Sequence, residues 1–162
     1  MNRLKIKAKN TYYRGNYFRA RLEARWAVWL TWMEKKYVYE AEGFELNGMN
    51  YLPDFWLPED NMWVEIKPDP PTLDEIEKAI RLEEKTGHAV LFFVGQPWPT
   101  ECFWVHYHRD NRSYKETFVD TWASNSILNY NVIIAFRKAR AARFEFRETP
   151  SGQTSFPFLD VA

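Results

Sequence analysis

Sulfur chemistry is nearly absent from this 162-residue chain: one cysteine, Cys102, excludes an internal disulfide and suits a reducing compartment. Long apolar runs are missing too. The longest, Ala89-Val90-Leu91-Phe92-Phe93-Val94, is far short of the roughly 20 residues that cross a bilayer. The opening Met1-Asn2-Arg3-Leu4-Lys5-Ile6-Lys7 has no signal-peptide-like apolar core, so the expected location is the cytoplasm and no membrane partner is expected. Glycine is scarce, at 6 residues, and none builds a phosphate-cradling loop, which argues against ATP-driven chemistry in this chain. There is no internal repeat. Net charge is also lacking: 22 basic groups balance 22 acidic ones, which by itself speaks against a nucleic-acid binder.

The distribution of charge answers that objection. Residues 1–36 hold ten Lys or Arg against Glu23 and Glu34, whereas residues 37–86 hold four basic groups against thirteen acidic ones. Arg137, Lys138, Arg140, Arg143 and Arg147 form a second basic cluster. An acidic centre repels phosphate unless a divalent cation neutralises it, while basic flanks attract it. Charge runs are also commonly plain solvated faces, so this pattern is supporting only. Aromatic residues make up 18% of the chain, including 8 Trp, which excludes a disordered polymer. The length fits one domain over 1–162, with a basic arm over 1–13 and a loose tail from about 149 to 162.

Periodicity predicts the elements. Phe18, Leu22, Trp26, Trp29, Leu30 and Met33 recur at helical spacing and predict a helix over about Tyr17 to Lys36, with Glu23 at the margin of its buried stripe. Tyr37–Glu40 and Phe44–Leu46 read as strand pieces. Asn47-Gly48 is a hairpin turn returning into a strand from Tyr51 to Leu57. Met62 to Lys67 is the next strand, ended by Pro68. Thr72-Leu73-Asp74-Glu75 is a capping box opening a helix that Gly87 stops. Ala89–Val94 is a buried strand, Cys102–His108 a more exposed one, and Asn131–Arg143 the last long helix. The expected class is α/β, a mixed β-sheet flanked by α-helices.

Chemistry concentrates at Pro53-Asp54 and at Glu65-Ile66-Lys67. Alternation along a strand sends Glu65 and Lys67 to one face and Val64 and Ile66 to the other. If the two strands pair, Asp54 lies beside Glu65, and two carboxylates and an ammonium converge. Oxygen ligands for a hard cation, with a cation to orient the attacking water, are what phosphodiester hydrolysis requires. Each signal alone is ordinary: Glu-x-Lys is frequent on wet strand faces and Pro-Asp is turn punctuation. Glu23 needs a partner at its half-buried position, either a metal or an ion pair with Arg19 one turn earlier. Arg19, Arg21 and Arg25 share or flank its helix face, where guanidinium forks match phosphate geometry, although helix-surface charge explains them equally well. His106 and His108 fall on one strand face and could bind zinc, but no further Cys/His pair accompanies them. Trp98, Trp104 and Trp122 are candidates for stacking on unpaired bases, with buried packing the commoner use of Trp.

The ordered set Phe18-Arg19-Ala20-Arg21-Leu22-Glu23-Ala24-Arg25-Trp26-Ala27, Glu42-Gly43-Phe44, Tyr51-Leu52-Pro53-Asp54-Phe55-Trp56-Leu57-Pro58 and Glu65-Ile66-Lys67 resembles a phage-type member of the PD-(D/E)XK, or restriction-endonuclease-like, nuclease superfamily. The resemblance runs from about Tyr12 to Trp98 and less specifically to Arg140–Glu145. It implies a restriction-endonuclease-like core and catalytic roles for Glu23, Asp54, Glu65 and Lys67. It also implies that Asp54, Glu65, the Ile66 carbonyl and Glu23 hold Mg2+, with Mn2+ able to substitute. Residues Arg19, Arg21, Arg25, Arg137, Arg140 and Arg143 are the candidate DNA contacts. Glu77 and Lys78, on the helix after Glu-x-Lys, lie where relatives often assist the site. The expected function is a Mg2+-dependent DNA endonuclease of phage or mobile-element origin, acting in the host cytoplasm if phage-encoded, and a homodimer if it cuts both strands. The alternatives are a nuclease subunit of a larger nucleoprotein complex, as in transposase-type end cleavage, and a non-catalytic DNA-binding or assembly protein.

Overall fold

The computed structural model describes residues 10–118 and 126–144, with the backbone alone for 126–130. The chain begins with a hairpin, β1 (Thr11–Tyr13) and β2 (Asn16–Phe18), turning at Arg14-Gly15. Helix α1 (Arg21–Trp32) follows, then β3 (Val38–Tyr39), and a small hairpin of β4 (Phe44–Leu46) and β5 (Met49–Tyr51). Next come β6 (Phe55–Leu57), β7 (Met62–Lys67), α2 (Leu73–Thr86), β8 (Val90–Val94), β9 (Phe103–Tyr107), β10 (Ser113–Glu116) and α3 (Ser126–Ala141). Six strands form one sheet in the order β10-β9-β8-β7-β6-β3. Only β7 and β8 run parallel among its pairs, joined by α2, so the protein is α/β with a mixed sheet flanked by helices. No helix among the described residues is long and apolar enough to cross a membrane.

Alternation in β7 and β8 feeds two cores. Val64, Ile66, Leu91 and Phe93 face α1 and α3, where Trp26 lies 5.0 Å from Phe93 and 4.9 Å from Phe118, ring centre to ring centre. Trp63, Phe92 and Val94 face α2 through Ala79 and Leu82, with Leu46 of the small hairpin completing the layer. Helix α1 is buried nearly all round from Trp26 to Thr31, because the sheet covers one side and α3 another. That burial is why its residues read as a broad apolar stripe.

Several boundaries differ from the sequence reading. The first helix starts at Arg21, not Tyr17: Ala20 is extended, and Asn16–Phe18 pair with Thr11–Tyr13. Thr11 and Tyr13 are buried there, so the basic arm does not reach Tyr13; residues 1–9 lie outside the described residues, as does the tail from 149. The strand expected over Tyr51–Leu57 is two strands in different sheets. Pro53 cannot donate to a ladder, and at Leu52-Pro53-Asp54 the chain leaves the small hairpin for the main sheet. Strand β10 went unrecognised because all four of its residues are exposed and carry no apolar alternation. The last helix begins five residues earlier than expected and ends at Ala141.

Two turns need glycine. Asn47 and Gly48 both have positive φ, 50° and 85°, as a tight two-residue hairpin requires. Gly95 has φ of 90°, and a Cβ there would sit 2.1 Å from the Glu101 carbonyl oxygen. Its N–H donates to the Lys67 carbonyl at 2.8 Å and its own carbonyl accepts from Trp26 Nε1 at 3.0 Å, so it ties the end of β7 to α1. Gly95→Ala is expected to cost about 3 kcal/mol of unfolding free energy, read by urea titration against wild type.

Candidate active site

The β6–β7 hairpin sets the geometry. Phe55 pairs with Val64 and Leu57 with Met62, so the register brings Asp54, one residue before β6, opposite Glu65. At that point the β6 backbone has left the sheet, and the next N–H on that edge of β7 would be orphaned. The Asp54 carboxylate takes its place: Oδ2 accepts from the Ile66 N–H at 2.8 Å. A strand residue sends its N–H and C=O to the same edge, so the Ile66 carbonyl also leaves β7 on the Asp54 side. The Asp54 main-chain carbonyl accepts from the Glu40 N–H at 2.8 Å, fixing it against β3.

Glu65 and Lys67 leave β7 on the face opposite Val64 and Ile66. Asp54 and Glu65 are 4% and 5% exposed, two carboxylates in one dry corner. Burial, then the neighbouring Glu65 charge, pushes Asp54 well above the usual carboxylate range, and burial raises Glu65 as well. The Tyr51 hydroxyl and Glu65 Oε1 are both buried and lie beside one another, and burial, then the Glu65 charge, raises the Tyr51 pKa. The Lys67 ammonium is 4.0 Å from Glu65 Oε2 but 2.8 Å from Glu75 Oε1. Burial works against its charge, yet Glu75, Glu65 and Asp54 outweigh burial and hold its pKa above the ordinary lysine value.

Glu23 reaches the same corner from α1. Its partner is neither of those anticipated: the Tyr39 hydroxyl donates to Glu23 Oε2 at 2.5 Å. Arg19 lies outside the helix, so a one-turn helical pair with Glu23 does not form. Instead its guanidinium pairs with Glu40 and lies 3.4 Å from Asp54 Oδ1, while its N–H donates to Tyr39. Burial, then the Asp54 charge, raises the Glu23 pKa despite the Tyr39 bond and the Arg19 charge. Asp54, Glu65, Lys67 and Glu23 are thus brought together, and Arg19 belongs to the same network.

The remaining candidates lie elsewhere. Arg21 and Arg25 are half-buried on α1, and Arg137, Arg140 and Arg143 are exposed on or just after α3. Arg25 and Arg140 meet at a depression also lined by Gln96, Pro97, Trp98 and Glu101. Arg25 donates to Gln96 at 3.3 Å, and the Arg140 guanidinium lies 4.5 Å over the Trp98 ring. Burial and the charges of Arg21 and Arg140 lower the Arg25 pKa. Trp98 and Trp104 are partly buried against the core, as packing residues, and Trp122 lies outside the described residues. Glu77 does not serve the corner; it is held by Arg81 and Arg109.

The residue that sequence reasoning missed is Glu75. Its Oε2 accepts from the Thr72 N–H at 2.8 Å, closing the capping box, while Oε1 holds Lys67. The capping box was visible in the sequence, but the second use was not, because it depends on where α2 starts relative to β7.

Searches against family models, curated proteins and solved structures find no match to this chain.

The corner fits a hard divalent cation on its own chemistry. It offers clustered oxygen donors and two buried carboxylates whose charge is unfavourable as they stand. A carboxyl whose pKa is raised by folding stabilises the fold below its unfolded pKa and loses that contribution as pH rises through the folded value. In EDTA, Asp54→Asn, which keeps an acceptor for the Ile66 N–H, is therefore expected to be more stable than wild type at pH 8. The gap should shrink toward pH 4. Thermal unfolding at the two pH values checks this; a variant less stable than wild type at pH 8 contradicts it.

Proposed function

We propose that the chain is a metal-dependent DNA endonuclease with a restriction-endonuclease-like core, hydrolysing phosphodiester bonds at the Asp54–Glu65–Lys67 corner. The observation that carries this reading is the convergence of three carboxyl groups with raised pKa and one held ammonium at the mouth of the β6–β7 hairpin. The mixed sheet, with Pro-Asp leading into β6 and Glu-x-Lys on the antiparallel neighbour β7, supports the resemblance to the PD-(D/E)XK superfamily.

Asp54, Glu65 and the Ile66 carbonyl are the groups that would hold Mg2+, and Glu23 reaches the same point through the Tyr39 bond. Bound Mg2+ supplies Lewis-acid stabilisation of charge on the phosphate and on the leaving 3′ oxygen. Lys67 stays protonated at neutral pH in this setting, so its contribution is to orient the attacking water and stabilise the charge growing on the phosphate. Water adds to phosphorus as the 3′ oxygen departs, leaving a 5′ phosphate and a 3′ hydroxyl. Arg19 fixes Asp54 and Glu40, a positioning duty that leaves phosphate contact chiefly to Arg21, Arg25 and the α3 arginines.

Incubation of the purified chain with supercoiled plasmid and with a four-way junction, in Mg2+, Mn2+ or EDTA, tests the reading. Cutting is expected with either metal and not in EDTA. Lys67→Ala and Asp54→Ala are each expected to lower the rate by at least about 100-fold with the far-UV circular dichroism unchanged. Full activity in either variant removes this corner as the active site. Metal binding at Asp54 and Glu65 without cutting of any DNA form would assign the chain to a larger complex or to DNA binding alone.

A further inference from the structure

A second cluster lies away from that corner, where the last turns of α2 meet the end of β9. His106 on β9 and His108 just after its end lie with their rings 4.3 Å apart. The Glu83 carboxylate comes from α2 to within 2.6 Å of His106 Nε2. One ligand atom from each of the three residues lies within 4.8 Å of the others. His108 Nε2 is buried with no hydrogen-bond partner, an unsatisfied nitrogen in an otherwise well-partnered neighbourhood. The approach of α2 is fixed independently, since Arg109, just after β9, grips both Glu77 and Glu84 at 2.7–2.9 Å.

We propose that Glu83, His106 and His108 form a binding site for a borderline transition-metal ion of the Zn2+ class, distinct from the carboxylate corner and independent of the nuclease reading. Two imidazoles and one carboxylate suit Zn2+, Co2+ or Ni2+ and disfavour Mg2+, which prefers oxygen ligands. Metal–ligand bonds of about 2.0–2.1 Å put tetrahedral ligands roughly 3.3 Å apart. The ion takes the place of the proton between Glu83 and His106, which widens that contact. It draws in His108, whose nitrogen gains the partner it lacks. Three protein ligands leave a fourth position for water. The ion would tie α2, the helix bearing Glu75, to β9.

Co2+ titration of the full chain, followed by its visible d–d absorption and by Zn2+ competition, tests the site. One equivalent is expected to give a low-symmetry d–d spectrum, to be displaced by Zn2+, and to remain in Asp54→Asn, whose corner has lost a ligand. His108→Ala and Glu83→Gln should each weaken binding by at least about tenfold. Glu83 is a half-exposed helix position, so its variant stays folded if His108→Ala does not. Zn2+ should raise the Tm of wild type and not that of Glu83→Gln. Unchanged Co2+ affinity in Glu83→Gln, loss of binding in Asp54→Asn, or no d–d band in wild type at millimolar Co2+ overturns the assignment.

Discussion

A single hydrogen bond organises the corner: Asp54 Oδ2 to the Ile66 N–H. A two-strand ladder ends where one chain turns away, and the facing strand must then satisfy its backbone by other means. Here a side chain substitutes for a strand. The substitution places a carboxylate directly opposite Glu65, whose direction is already fixed by the pleat of β7. The two like charges are neighbours because of backbone satisfaction, not because they attract. Arg19, Tyr39 and Glu23 then arrange themselves around the resulting charge.

What was legible follows the strength of local signals. Thr72-Leu73-Asp74-Glu75 and Gly87 bounded α2 to the residue, because capping chemistry is written in adjacent positions. Met62–Lys67 and the Asn47-Gly48 hairpin were equally plain, and the pairing of Asp54 with Glu65 followed from hairpin spacing. The start of α1 was misplaced because Phe18 continues the helical spacing of Leu22 and Trp26 while sitting in a strand, buried against Tyr39 and Phe55. The break at Pro53 and the exposed strand β10 depend on which sheet a segment joins, and no local pattern encodes that. For the same reason Tyr39 was not foreseen as the partner of Glu23: the two meet only after β3 has docked on β6.

The arginines divide by partner. Arg19, itself exposed, is committed to the anionic neighbours Glu40 and Asp54 at the edge of the corner, whereas Arg25 and Arg140 crowd one another at the Trp98 depression beside Gln96 and Glu101. Crowded like charges are stabilised by an anion. Gly95 connects the two places, since one of its backbone groups holds Lys67 and the other holds Trp26 on the helix that bears Arg25.

Glu75 has a consequence that reaches beyond its contacts. One of its oxygens closes the first turn of α2 and the other holds the Lys67 ammonium. Helix ends fray at little cost, and the opening of a first turn is among the fastest local events in a folded chain. An opening that displaces Glu75 would also leave Lys67 with Glu65 alone as its ion-pair partner among the described residues. The availability of the ammonium is therefore a property of helix-end dynamics: a proline, a charge or a bound partner that tightens or loosens residues 72–75 would act as a throttle on the corner without touching it.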